Sequence, residues 1–133
     1  MPGFPENVMI IDDDQTLLDL EEASLKRAGN ICVRKCGNYE QAVEVLSIFT
    51  PDLILLDLRM PGRNGTDVLR ALKTMENATD IPVIFVTGES RIEMQEDYRK
   101  LGVLGVIYKP FKPSDFIMSV QKLWQTHRFS NDP

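Results

Sequence analysis

Four short apolar runs in this chain each end in a polar residue of a kind that handles phosphate or a divalent cation. Val8–Ile11 runs into Asp12, Asp13 and Asp14, and Leu53–Leu56 into Asp57. Val83–Val86 runs into Thr87, and Val106–Tyr108 into Lys109 and Pro110. Strands of a parallel sheet all point one way, so the residues just past their last apolar positions gather along one edge. Open α/β sheets bind ligands at that edge. The pattern therefore brings carboxylates, one hydroxyl and one ammonium together from distant parts of the chain.

Helical patterns separate the runs. Gln15 to Ala28 reads as a helix with Leu17, Leu20, Ser24 and Ala28 on one side, Leu25 beside them, and Gly29 as its stop. Ile31 to Cys36 reads as a second strand. Tyr39 to Phe49 carries Ala42, Val45, Leu46 and Phe49 at helical spacing. Met60 to Gly65 is punctuated as a loop, and Thr66 to Met75 reads as a helix burying Val68, Leu69, Leu72 and Met75. Pro82 is tolerated at a strand start. Ser90 to Leu101 is the weakest helix, with Met94, Tyr98 and Leu101 as anchors among many charges. Gly102 and Gly105 flank the start of a fifth strand. Pro113 suits a helix's first turn, and Phe116, Val120 and Leu123 carry that helix toward His127. Arg128 to Pro133 have no pattern and are expected to fray. Strict alternation of strands and helices predicts an α/β fold, a doubly wound five-stranded parallel sheet with helices on both faces.

At 133 residues the chain fits one domain, with 43% hydrophobic and 26% charged residues. A net charge of −5 argues against a nucleic-acid surface, which needs clustered Lys and Arg. No apolar stretch is long enough to span a bilayer, and Met1 to Glu6 lacks the regions of a signal peptide, so no membrane partner is expected and a cytoplasmic location is the default. Cys32 and Cys36 on one strand would lie about 13 Å apart, too far for a disulfide. With His127 the single histidine, they read as small apolar residues rather than metal ligands.

At this point the residues resemble a response-regulator receiver domain. The matching pieces are Ile11 to Asp14, Leu56 to Pro61 followed by Gly65, Val86 to Gly88, and Lys109 to Phe111. They stand in the family's order and span about Val8 to Trp124. The resemblance implies a flavodoxin-like sheet of order 2-1-3-4-5, as in the chemotaxis receivers.

It also implies roles. Asp57 would be the nucleophile that takes a phosphoryl group from a phosphohistidine on a sensor histidine kinase or a histidine phosphotransfer protein. Such transfer asks for in-line positioning and charge stabilisation, so a cation is needed. Mg²⁺ favours hard oxygen ligands. Asp13 and Asp57 match direct ligands, the Arg59 carbonyl the backbone ligand, and Asp12 a ligand acting through water. Asp14 matches the next position, which in the family points away. Lys109 and Thr87 would bind phosphate oxygens, Gly88 would leave room for the group, and the bond before Pro110 is a candidate cis peptide. Taken singly, each aspartate could equally be a helix cap or turn residue. That simpler account leaves the crowding of like charges at one edge unexplained.

Two departures bear on the switch. Val106 stands where the family often has an aromatic residue that responds to the threonine, so Thr87 and the loop from Gly88 to Ser90 are expected to carry the change. Arg59 and Glu89 occupy the flanking positions that tune phosphate loss, where their opposite charges would pair across the mouth. The Ser90–Trp124 surface is the expected face for a downstream effector, with Trp124 placed either on that surface or in the core, and a homodimer is a further expected partner. The expected function is a phosphorylation-controlled switch rather than an enzyme acting on a diffusible substrate. One alternative is a Mg²⁺-dependent aspartyl-phosphate phosphohydrolase, disfavoured by Arg59 where such hydrolases carry a second aspartate. The other is an interaction module that never takes phosphate, disfavoured by the intact Asp13, Asp57, Thr87 and Lys109 set. The chain reads as a stand-alone receiver, with a piece of a longer regulator as the alternative.

Overall fold

The computed structural model describes residues 3–88 and 96–131, the last three for their backbone alone. With elements numbered along the chain, β1 (Asn7–Ile11), β2 (Cys32–Cys36), β3 (Leu53–Leu56), β6 (Val83–Thr87) and β7 (Val103–Tyr108) form one sheet. Its order is β2-β1-β3-β6-β7, and every neighbouring pair is parallel. This is the expected 2-1-3-4-5 order with two extra short strands, β4 (Arg59–Met60) and β5 (Arg63–Asn64), counted between the third and fourth.

The central strands are apolar at successive positions because both faces of the sheet are covered. Residues Leu53 to Leu56 and Val83 to Val86 are almost wholly inaccessible. On one face the core joins Met9, Ile11, Ile54 and Phe85 to α2 (Tyr39–Leu46) and α3 (Gly65–Lys73). Tyr98 of α4 (Glu96–Lys100) adds an edge-on contact to Phe85, with ring centroids 5.3 Å apart. On the other face Val8, Ile10, Leu55 and Ile84 pack with α1 (Gln15–Ala28) and α5 (Pro113–Asn131).

The structure corrects several sequence readings. The buried row of α1 is Leu18, Glu21, Ser24 and Leu25, whereas Leu17, Leu20 and Ala28 are only half-buried. The glutamate in that row diverted the apolar stripe by one position. α2 ends at Leu46, and Phe49 packs on the core from beyond the helix. The Met60 to Gly65 segment is a small hairpin of β4 and β5 that turns at Gly62, whose φ of 78° suits glycine. Gly105 lies inside β7, where a Cβ would come within 2.9 Å of Leu123 on α5, so the glycine lets that helix settle close to the sheet. Beyond His127, α5 continues to Asn131. Trp124 is 7% exposed and belongs to the core, which removes it from the expected effector surface. Both cysteines are free: Cys36 is buried, but Cys32 is exposed and does not serve as a core residue. The predicted Ser90 to Leu101 helix is represented by α4, and residues 89–95 lie outside the described residues.

Gly65 ties the fold to the sheet edge. Its N–H donates to the Leu58 carbonyl at 2.9 Å, and a Cβ there would stand 2.4 Å from Leu58 Cα and 2.7 Å from the Asp57 carbonyl oxygen. Backbone cannot yield as a flexible side chain does. Gly65→Ala is expected to cost about 1–3 kcal/mol of stability in urea denaturation, the usual range for overpacking. An unchanged midpoint would show that the segment after Asp57 is not packed this closely.

Candidate functional site

Three backbone hydrogen bonds carry the sheet ladder past its strand ends and fix where the polar residues emerge. Asp12 N–H donates to Cys36 carbonyl at 3.0 Å, Asp57 N–H to Ile11 carbonyl at 2.9 Å, and Lys109 N–H to Thr87 carbonyl at 2.8 Å. The four expected contributors thus leave the same edge from β1, β3, β6 and β7. The Lys109–Pro110 peptide is cis.

The side chains then meet. Lys109 Nζ lies 2.7 Å from Asp12 Oδ2 and 3.4 Å from Asp57 Oδ2. Asp57 Oδ1 accepts the Arg59 N–H at 3.2 Å, and Asp12 Oδ1 accepts the Asp14 N–H at 2.9 Å. Asp12, Asp57 and Thr87 are buried, while Asp13 is exposed. One carboxylate oxygen from each of Asp12, Asp13 and Asp57 falls within 4.8 Å of the other two. Asp14 stands outside this group, its carboxylate capping α1 by accepting the Leu17 N–H at 3.2 Å. Among the described residues, the space beside Gly88 is open. Glu89, the expected partner of Arg59, lies outside the described residues.

Electrostatics show what the crowding costs. Burial above all, and then the charge of Asp12, push the Asp57 carboxyl up to about 6, against the lowering effects of the Arg59 N–H and of Lys109. Burial opposes the Lys109 ammonium, but the hydrogen bond it donates to Asp12 and the charges of Asp12, Asp57 and Glu21 outweigh it and hold its pKa above the ordinary lysine value. A single ammonium among three close carboxylates leaves the pocket short of positive charge. Three hard oxygen donors converging from two strand ends fit a small divalent cation such as Mg²⁺. The donor chemistry therefore suits the expected metal.

Sequence reading missed Glu21. This residue of α1 is 1% exposed, and neither carboxylate oxygen has a hydrogen-bond partner among the described residues. Burial first, and then the charge of Asp12, push its carboxyl up to about 8, with Asp57 and Asp14 adding to the rise and Lys109 opposing it. An acid in the inward row of α1 was the available signal, hidden because an acid between apolar residues reads as a solvated face.

On the switch side, Val106 is half-buried against the α2–α3 side of the core, and Tyr108 is 43% exposed beyond it. The exposed Met118, at 66%, lies on α5. Arg63 on β5 pairs with Glu40 at 2.9 Å and lies 4.7 Å over the Tyr39 ring, tying the hairpin after Asp57 to α2. No helix among the described residues is long and apolar enough to cross a membrane.

A family model described as the response regulator receiver domain matches residues 8–121. Among curated proteins, the chain is 32% identical over 112 residues to the phosphate regulon transcriptional regulatory protein PhoB of Pseudomonas aeruginosa, covering 84% of this chain and 48% of that protein. It is 30% identical over 120 residues to the transcriptional regulatory protein PdtaR of Mycobacterium tuberculosis, covering 90% and 57%. The chain thus spans about half the length of these relatives. Among solved structures, the chemotaxis response regulator CheY4 of Vibrio cholerae superposes with a TM-score of 0.77 at 22% identity, covering 88% of this chain and 97% of that one. At that identity the likeness is one of fold.

The raised pKa of Glu21 makes stability depend on pH in a definite direction. The unfolded chain releases this proton near 4.5, whereas the folded protein keeps it to about 8. Across that window the folded state binds more protons, so its stability falls as pH rises, by at most about 1.4 kcal/mol per pH unit. Relative to Glu21→Gln, the wild type is expected to lose stability progressively from about pH 5 to about pH 8 and to level off above, read as urea midpoints. A gap that stays constant with pH would contradict this.

Proposed function

We propose that this chain, which belongs to the response-regulator receiver family of two-component systems, is a phosphorylation-controlled switch whose phosphoacceptor is Asp57. The observation that carries this reading is the meeting of Asp57 with Lys109 at 3.4 Å, beside Asp12 and Asp13, at the ligand-binding edge of the sheet.

In the proposed reaction an ionised Asp57 oxygen attacks phosphorus in line. The new O–P bond forms as the bond to the donor's leaving group breaks, histidine nitrogen in a partner kinase or phosphotransfer protein and acetate in acetyl phosphate. Asp13, Asp57 and the Arg59 carbonyl would hold Mg²⁺ directly, with Asp12 acting through a water. When bound, that ion would offset the clustered carboxylates and the charge of the transferring group. Lys109 offers a compact ammonium to one phosphoryl oxygen, and releasing Asp12 frees it for the purpose. Thr87, at the end of β6, is positioned to donate its hydroxyl to another. Asp57 is buried away from bulk water, and Gly88 would leave room for the arriving group.

Uptake of the phosphoryl group would draw Thr87 toward it and change the surface formed by α4, β7 and α5. Tyr108 and Met118 give that surface exposed apolar area for an effector or for a second copy of the chain. Val106 is too small to act as the aromatic relay of other receivers. The response therefore falls to Thr87 and the segment beginning at Gly88.

Incubation with acetyl phosphate and Mg²⁺, followed by intact-mass measurement, tests the reading. The wild type is expected to gain the mass of one phosphoryl group, and Asp57→Asn to gain none. Labelling that survives in Asp57→Asn would place the acceptor elsewhere. Sustained release of phosphate at high turnover would favour the phosphohydrolase.

A further inference from the structure

We infer that Arg63 is a positioning residue for the metal site: by clasping Glu40 and Tyr39 of α2 it holds the β4–β5 hairpin where the Arg59 carbonyl can join Asp13 and Asp57 on Mg²⁺. This rests on the proposed Mg²⁺ site, in which that carbonyl is a ligand.

The three ligands differ in how firmly the fold holds them. Asp57 follows directly on β3, and its N–H extends the sheet ladder to Ile11. Asp13 follows Asp12, whose N–H donates to the Cys36 carbonyl at the end of β2. Arg59 lies outside that sheet, on β4, which pairs with β5 through Arg59 to Asn64 and Met60 to Arg63. An isolated two-stranded ribbon is marginally stable in water, and each strand of this one has two residues. Its base is pinned. The Gly65 N–H donates to the Leu58 carbonyl at 2.9 Å, and the Arg59 N–H to Asp57 Oδ1 at 3.2 Å. Those bonds fix where the hairpin starts and leave its tilt over the pocket to contacts farther out.

Arg63 supplies a directional contact of that kind. Its guanidinium lies 2.9 Å from Glu40 Oε2 and 4.7 Å over the Tyr39 ring. Met60, opposite Arg63 in the hairpin, rests against the core, but apolar contact is non-directional and allows sliding.

The anchor on α2 is itself braced. Asn38 Oδ1 accepts the Gln41 N–H at 2.8 Å, and Gln41 Oε1 accepts the Gly37 N–H at 2.6 Å. This closed turn follows Cys36, the residue to which Asp12 is laddered. One frame therefore carries both Asp13 and the anchor, and Arg63 sets the hairpin against it. A cleft of about 300 Å³ between hairpin and turn has Asp13, Tyr39, Met60 and Arg63 in its walls.

Charge alone makes the opposite demand. A guanidinium on the same cleft as Asp13 repels a cation, so its removal by itself should tighten Mg²⁺ binding. Loss of the clasp does the reverse, because an unfastened hairpin carries the Arg59 carbonyl away from the carboxylates. The sign of the change in affinity tells the two apart.

The test is a Mg²⁺ titration of the full chain, without a phosphoryl donor, followed by amide chemical shifts. In Arg63→Ala the dissociation constant is expected to rise about fivefold, the scale of one exposed ion pair joined to a cation–π contact. Tyr39→Leu removes no charge and should weaken binding in the same direction, whereas Tyr39→Phe keeps the ring face and should bind as the wild type does. The double variant Arg63→Ala, Tyr39→Leu should bind no more weakly than Arg63→Ala alone, because the two groups act as a unit. In labelling by acetyl phosphate, the Mg²⁺ concentration for half-maximal rate should rise by the same factor in Arg63→Ala while the rate at saturating Mg²⁺ holds. A general loosening of the fold would not give that split. Affinity that is unchanged or tighter in Arg63→Ala overturns the proposal, and so does a loss that Tyr39→Leu fails to share. A wild type whose Asp13 and Asp57 amides do not respond to Mg²⁺ would instead overturn the metal site on which this inference stands.

Discussion

Everything distinctive in this molecule follows from forcing acids together at the edge of a parallel sheet and giving them one ammonium. The ladder bonds of Asp12, Asp57 and Lys109 to neighbouring strands leave these side chains little freedom to separate. Repulsion that free side chains would relieve by rotating apart is held in place by the backbone. Lys109, at 2.7 Å from Asp12 and 3.4 Å from Asp57, relieves part of it. What remains adds to the burial that raises the pKa of Asp57, and it is the reason a divalent cation would be welcome there. A site that is costly when empty of positive charge is well suited to respond when charge arrives.

Much of this was legible in the sequence because it depends on strand periodicity, which short apolar runs report directly. Leu53 to Leu56 and Val83 to Val86 are buried on both sides, so no polar residue interrupts them before Asp57 and Thr87. The strand order came from resemblance, since crossover helices of similar length allow more than one arrangement. The three aspartates beside β1 also separated as expected. Asp12 and Asp13 join the cluster, while Asp14 is spent on capping α1.

What could not be read was decided by tertiary packing. Glu21 looked like an exposed acid, and only the placement of α1 against the sheet and α5 makes it an interior one. Trp124 was compatible with surface or core until α5 was seen to settle against Gly105, with Leu123 and Trp124 in the same packed layer. The hairpin of β4 and β5 is too short to carry a periodic signal, yet its tie to α2 through Arg63 steadies the segment that presents the Arg59 carbonyl. The length of α5 past His127 likewise escaped the sequence reading, because Arg128 to Pro133 carry no periodic pattern.

The central claim is that these distant side chains form one cation-assisted phosphoryl pocket around Asp57. Diffraction from crystals grown with Mn²⁺ and beryllofluoride, recorded at the manganese edge, tests it most directly. The account predicts one anomalous peak bounded by Asp13, Asp57 and the Arg59 carbonyl, beryllium on an Asp57 oxygen, and Lys109 Nζ moved from Asp12 to a fluoride. Manganese bound away from Asp57, or a beryllofluoride that leaves Asp57 and Lys109 untouched, would contradict it.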